Sequence, residues 1–120
     1  MAAQAMQKKN LNAADHVAHY GLITKDEVEL EGVTARRVTF NVGARWANDL
    51  KPYANTESCL LPHVAYVKSG RIHIRMVDGS EQEFGPDDIM MLPPGHDAWT
   101  VGDEPCVFVE FSTGTDYYST

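Results

Sequence analysis

The most restrictive feature of this sequence is a pair of strand-forming runs, residues 62–68 and 71–76, on either side of Ser69 and Gly70. Valine and isoleucine recur in these runs, together with Tyr66, and such residues favour a pleated, half-buried surface. Gly70 can adopt the positive φ that a tight turn between right-twisted strands requires. The pattern predicts a β-hairpin at the centre of the chain.

The alternation of side chains within the two runs predicts which residues face the core. Side chains two residues apart along a strand share a face. In the first run His63 therefore shares a face with Ala65 and Val67, which predicts that its imidazole points inward. In the second run an apolar face opposes a polar one (Ile72, Ile74 and Met76 against Arg71, His73 and Arg75).

Turn residues divide most of the remaining chain into further short strands. A hairpin is predicted around Glu31 and Gly32, and turns are predicted at Asp78-Gly79 and at residues 86–88. The predicted strands are residues 27–30, 34–42, 80–84, 89–92, 96–101 and 106–112. Residues 89–92 are continuously apolar, which is typical of a strand covered on both faces. About eight short strands indicate an all-β sandwich or barrel rather than a βαβ protein.

Two segments depart from the strand pattern. Residues 12–21 begin with asparagine, contain helix formers and end in glycine, which predicts a short N-terminal helical turn. His16 and His19 would share one face of this turn, where solvated histidines are favoured over a metal site because no third ligand is near. Residues 48–58 are polar and contain Pro52, which predicts a long loop of the kind that often carries function.

Composition limits the partners and the compartment. The 120 residues carry a net charge of −7 and have a sequence pI near 5.0, which argues against binding to nucleic acid or to an anionic membrane surface. No run approaches the roughly 18 apolar residues of a membrane span, and the N-terminus has no apolar signal-peptide region. Two cysteines are too few for a disulfide framework and fit a reducing compartment. We therefore expect a cytoplasmic protein.

Several short segments together resemble a known family. Gly43, residues 66–70, residues 85–88 and residues 93–96 are similar, in order and spacing, to the two sequence motifs of the cupin superfamily. The chain looks most like the small single-domain bacterial cupins of the cupin-2 type, over roughly residues 34–111. This resemblance implies a double-stranded β-helix, a jelly-roll barrel, over residues 27–120, preceded by an N-terminal arm over residues 1–26. It also implies a homodimer, because small cupins pair through sheet edges.

The resemblance further implies a metal site in the mouth of the barrel. In the family, three imidazoles and a carboxylate converge on a divalent metal, usually iron, manganese, nickel or zinc. Counting back from Gly70 places the family's carboxylate position on His63. The last histidine position of the family falls on Ala98, and His96 lies two residues before it. Since residues two apart on a strand share a face, His96 is expected to point inward as well.

The two other ligand positions depend on how the motif is aligned. Counted forward from Gly43 they fall on Asp49 and Lys51, and counted backward from His63 they fall on Glu57 and Cys59. Two imidazoles with a carboxylate or a thiolate suit zinc, iron or manganese. The resemblance thus makes candidate metal ligands of Asp49, Cys59, His63 and His96.

The aromatic residues suggest a pocket for an organic ligand. Trp46 and Trp99 flank the altered motif positions, and with Lys51 and Tyr66 they are candidate ligand-binding residues. The alternative is that the aromatics fill the core and that His63 is a hydrogen-bonded core residue.

Fold and residues together favour a small-molecule-binding cupin, with or without divalent-metal-dependent activity on a small polar metabolite. One alternative is an enzyme proper, a metal-dependent lyase, isomerase or oxygenase. A second is a non-catalytic sensory or interaction module. The sequence identifies no catalytic residues, because this fold supports many unrelated functions.

Overall fold

Nine strands and a few single helical turns make up the part of the protein that the structure describes. The computed structural model describes residues 5–54 and 63–112. In chain order the elements are a 3-10 turn Leu11–Ala13, β1 His16–Tyr20, β2 Ile23–Leu30, β3 Val33–Phe40, α1 Trp46–Asp49, α2 Lys51–Ala54, β4 His63–Ser69, β5 Arg71–Met76, β6 Glu81–Phe84, β7 Ile89–Leu92, β8 His96–Val101 and β9 Cys106–Ser112.

The strands form two antiparallel sheets. The larger sheet has the strand order β1-β2-β3-β9-β4-β7, and the smaller has the order β6-β5-β8. Strands that are distant in sequence, such as β3 and β9, lie side by side. This arrangement confirms the predicted all-β jelly-roll barrel with few helices. The core lies between the sheets and draws on both, with Val67 and Met90 from one and Ile72 from the other.

The predicted central hairpin is wrong. β4 pairs with β7 and β9, whereas β5 pairs with β6 and β8 in the other sheet. The chain therefore crosses between sheets at Gly70, which has a φ of +74°. The backbone of residues 105 and 106 packs closely against Gly70, so that an added Cβ would lie 2.1 Å from the Pro105 carbonyl oxygen. A glycine turn between two strands is a local signal, and it does not determine whether those strands pair with each other.

Side-chain alternation agrees with the predictions in β5 but not in β7. Ile72 and Ile74 are buried, as expected, while Arg71 and Arg75 on the other face are exposed. In β7 the same alternation buries Met90 and Leu92 but leaves its other two side chains exposed. The prediction that residues 89–92 are covered on both faces is therefore wrong for a single copy of the protein.

The N-terminal region is mostly strand. A 3-10 turn occupies Leu11–Ala13, and the side chain of Asn10 accepts a hydrogen bond from the amide of Asn12. The histidines expected on a helical turn lie instead in β1, which pairs with β2 along its whole length. The predicted boundary between arm and barrel, at residues 26 and 27, falls inside β2.

Two consecutive single-turn helices occupy the start of the predicted polar loop. They are α1 and α2, and the remainder of that loop lies outside the described residues. Across residues 5–54 and 63–112, every helix is too short to cross a lipid bilayer.

Candidate functional site

Two buried polar side chains project into the barrel from opposite sheets. His96 is 3% exposed and Glu110 is 4% exposed, and they are the buried polar or charged residues of the described part of the chain. His96 shares its face of β8 with buried Ala98, and Glu110 shares its face of β9 with buried Phe108. Both side chains therefore belong to the core side of their strands.

The tautomer of His96 follows from its hydrogen bond. Its Nδ1 lies 2.9 Å from the carbonyl oxygen of Pro93. A carbonyl oxygen only accepts, so Nδ1 donates this bond, and in the neutral imidazole Nε2 carries the lone pair. An imidazole oriented in this way has the form in which histidine binds metals. The short segment between β7 and β8 thus fixes the orientation of the ring.

Glu110 belongs to a row of charged residues across the larger sheet. Its strand partner Arg36 places Nη1 at 4.0 Å from Glu110 Oε2. Arg36 also pairs with Glu27 on β2 and donates from Nε to Oε1 at 2.9 Å. The guanidinium therefore lies between a half-exposed carboxylate and a buried one. Its positive charge offsets part of the cost of burying Glu110.

A small cavity lies at the seam between the edge strands β6 and β7, and neither His96 nor Glu110 is among the residues that line it. Its volume is about 200 Å³, and its walls are mostly apolar, with polar groups at the rim (Ile74, Met76, Phe84, Met91, Leu92 and Pro93; Ser80, Glu81 and Gln82). Met76 is the strand partner of His96. Pro93 supplies the carbonyl that orients the His96 ring. Two of the lining residues are thus direct neighbours of the buried imidazole.

The four candidate metal ligands have different positions. His96 is buried in the barrel, as described above. Asp49 lies at the end of α1, where Oδ1 accepts from the amide of Leu22 at 3.0 Å and Oδ2 from the amide of Arg45 at 2.8 Å. His63 begins β4 opposite Leu92, but its side chain is outside the described part. Cys59, and the alternative position Glu57, also lie outside it.

The four candidate ligand-binding residues lie in different parts of the fold. Trp46 is buried within the core, and Lys51 is half-buried at the first position of α2. Tyr66 lies on the outer face of the larger sheet, where its hydroxyl donates to Asp87 and this bond raises the tyrosine pKa. Trp99 lies on the outer face of the smaller sheet.

Trp99 makes two ring contacts on that outer face. It stacks on His73, with ring centroids 4.7 Å apart and planes inclined by 19°. The guanidinium carbon of Arg45 also lies 4.7 Å from the indole centroid. A cation near an indole face is electrostatically favourable. These contacts explain the half-buried state of Trp99 without a ligand.

Glu110 is not among the site residues predicted from the sequence. The signal was present, because a strand over residues 106–112 with Cys106 and Phe108 facing inward also directs residue 110 inward. A glutamate at an inward position of a terminal strand is unusual, since glutamate is almost never fully buried without a partner.

Comparisons with known proteins show the same architecture. No protein-family model and no curated protein matches the sequence. Among solved structures, a cupin 2 conserved barrel domain protein from Salinispora arenicola superposes with a TM-score of 0.63 at 14% identity, over 90% of this chain and 88% of that one.

Two further structures are similar. A protein of unknown function from Rhizobium leguminosarum gives a TM-score of 0.63 at 19% identity over 90% and 96% of the two chains. An oxalate decarboxylase from Lactobacillus farciminis, in complex with formate, gives 0.59 at 16% identity, over 87% of this chain but 32% of that one. At these identities the likeness shows the fold, which is that of a small cupin-type barrel.

Proposed function

We propose that this cupin-fold barrel binds a small polar metabolite at the end of the barrel that contains His96 and Glu110. The observation that carries the proposal is the burial of these two polar groups in an otherwise apolar interior. Burying a polar or charged group costs free energy unless it is compensated. Buried polar and charged residues are concentrated at functional sites, where they are needed for binding or chemistry.

The shape and chemistry of the site limit the ligand. The adjoining cavity of about 200 Å³ is smaller than the 300–1,000 Å³ typical of drug-sized ligands. An imidazole and a carboxylate suit a ligand that carries hydroxyl or amino groups, because a carboxylate only accepts hydrogen bonds. The apolar walls complement a short carbon skeleton.

The proposed site also includes a divalent metal, with zinc, iron or manganese as candidates. Nε2 of His96 and the Glu110 carboxylate are donor types that these metals accept. We assign His63 as the third ligand, since it begins the strand adjacent to β9. A bound metal would supply Lewis-acid polarisation of a ligand oxygen. Arg36, whose Nη1 lies 4.0 Å from Glu110 Oε2, would help to hold that carboxylate in place.

Metal titration of untagged, chelator-free protein tests this proposal. We expect stoichiometric binding of zinc, manganese or iron(II), and a loss of affinity of tenfold or more in His96→Ala and Glu110→Gln, the order of magnitude reached even for residues that support metal ligands. His63→Ala should behave in the same way. The matched control is His19→Ala, an exposed histidine on β1. Wild-type protein that takes up none of the three metals would refute the metal part.

The organic ligand requires a separate measurement. Ring resonances of His96 can be followed by NMR while small hydroxylated and amino compounds are added. Shifts that saturate and that vanish in Glu110→Gln would support binding in the barrel. A panel that leaves the His96 resonances unmoved while shifting those of exposed His19 would contradict it.

The proposal includes a homodimer formed through the outer face of the larger sheet. Four large apolar side chains there are 40–66% exposed (Tyr66, Ile89, Met91 and Phe111). β7 is an edge strand, so a second copy can cover this face and the strand edge together. The continuous apolar sequence of β7, of which one face is left exposed, fits such a cover.

Sedimentation tests the dimer directly. Met91→Lys should give a monomer at micromolar concentration because it places a charge in the covered face. Val77→Lys is the control, since Val77 is 75% exposed and lies in the turn after β5. A wild-type monomer at the same concentration would remove the homodimer from the proposal.

A further inference from the structure

Three side chains with donor atoms of the kinds that bind metals lie close together at the opposite end of the larger sheet from its β7 edge. His16, Glu27 and Glu29 each offer a donor atom, and these atoms lie within 4.8 Å of one another. No other group of three or more such donors occurs among residues 5–54 and 63–112. The group lies on β1 and β2, at the opposite end of the strand order from β7, and Arg36 connects its Glu27 to Glu110 in the barrel.

Strand register explains why the three side chains meet. His16 is the direct partner of Glu27, and Glu29 follows two residues later on the same face of β2. Directly opposed side chains in an antiparallel pair have Cβ atoms about 4.5–5.5 Å apart. His16 Nε2 and Glu29 Oε2 are already 2.8 Å apart. Backbone pairing thus brings the three side chains together.

The electrostatics of the group favour a cation at this position. Glu29 Oε2 accepts a hydrogen bond from His16 Nε2, and Glu27 is the direct strand partner of His16. Two carboxylates therefore face the imidazole, and their negative charges favour a cation between them. Arg36 neutralises part of the charge on Glu27, but it also faces Glu110, so the carboxylates outnumber it.

We propose that His16, Glu27 and Glu29 form a surface site for a zinc-like divalent cation. The ligands would be His16 Nε2 and one oxygen from each carboxylate, with water completing a tetrahedron. Tetrahedral zinc with ligand bonds of about 2.0–2.1 Å sets neighbouring donor atoms about 3.3 Å apart, within the span of this group. Imidazole selects zinc over magnesium and calcium, which prefer oxygen ligands alone.

Arg36 and the hairpin have defined roles in this site. The guanidinium holds the Glu27 carboxylate in place, as hydrogen-bonding partners of ligand carboxylates do in metal sites. The cation takes the place of the proton on His16, so zinc and protons compete. Because His16 lies on β1 and the two glutamates lie on β2, a bound cation also links β1 to β2 at the outer edge of the sheet.

Zinc titration followed by NMR of the histidine rings tests the proposal on full-length, untagged protein. At pH 7.5 we expect saturable shifts of the His16 ring, and a zinc affinity at this site that falls at least tenfold when the pH is lowered to 5.5. Glu29→Gln should reduce the affinity by a similar factor while preserving the shape of the side chain. His19 is the internal control, because it lies on the same strand and pairs with Thr24.

The experiment separates this site from the barrel site. Shifts of His96 report the barrel, and shifts of His16 report the hairpin, so either proposal can fail alone. Unmoved His16 resonances at saturating zinc would overturn the surface site. Equal zinc affinity at His16 in the wild type and in Glu29→Gln would also overturn it.

Discussion

Replacing Gly70 by alanine tests the inter-sheet crossing on which the barrel depends. The φ of +74° disfavours any residue with a Cβ, at a cost of about 1–2 kcal/mol. The added methyl would also lie 2.1 Å from the Pro105 carbonyl oxygen and 2.6 Å from Cys106 Cα. These are backbone atoms and cannot rotate away, so overpacking adds about 1–3 kcal/mol. We expect Gly70→Ala to lower the free energy of unfolding by about 2–5 kcal/mol.

Gly102→Ala is the matched control. Gly102 has a φ of +82°, and apart from its chain neighbours no described atom lies within 4 Å of the position of an added Cβ. It therefore isolates the backbone strain, and we expect a cost of about 1–2 kcal/mol. Urea unfolding followed by circular dichroism gives both values. Equal costs for the two substitutions would refute the close approach at the crossing.

Three further predictions concern titration, burial and turn geometry. The hydrogen-bonded ion pair with Glu29 raises the pKa of His16. The stability that this pair adds to the fold is therefore present below about pH 6.5 and is lost as pH rises through the folded pKa. The difference in melting temperature between wild type and Glu29→Gln should be larger at pH 5.5 than at pH 8.5, and a constant difference would contradict this. Burial raises the pKa of the Cys106 thiol to about 12. In a Cys59→Ser variant, iodoacetamide at pH 8 should therefore alkylate Cys106 only as fast as the protein opens. Alkylation at the rate of a free thiol would contradict the burial of Cys106. Asp87 has a φ of +73°, so Asp87→Gly should leave the melting temperature unchanged or raise it, and a clear fall would show that the carboxylate has a larger stabilising role.

Much of the fold could be predicted because strand periodicity and turn residues are local. The turn at Gly32 and the inward face of β5 follow from patterns a few residues long. The partners of β4 are not local, since β9 is about 40 residues away in sequence, and the same glycine turn is compatible with a hairpin or a crossing. The segment containing His16 became a strand because β2 offers it a complete set of backbone partners, which outweighs weak helical propensity.

The candidate site was predictable only in part. The inward orientation of His96 was predictable, because it lies two residues before Ala98 on the same strand and so shares its face. Glu110 belongs to no motif, and only its position within a strand indicates its burial. The surface donors at His16, Glu27 and Glu29 depend on the register between β1 and β2, which a helical interpretation of that segment excludes. Pairing partners, rather than residue types, were the missing information.

The different settings of the two tryptophans make them separate optical probes. Trp46 is buried in the core, so its emission should shift to longer wavelength only when the barrel opens. Trp99 lies at the outer surface, stacked on His73 and close to the guanidinium of Arg45, so its emission depends on these local contacts. A Trp46→Phe variant would leave Trp99 as the reporter of this face of the smaller sheet. The unaltered chain thus carries intrinsic reporters of core unfolding and of local changes at its surface, without any attached dye.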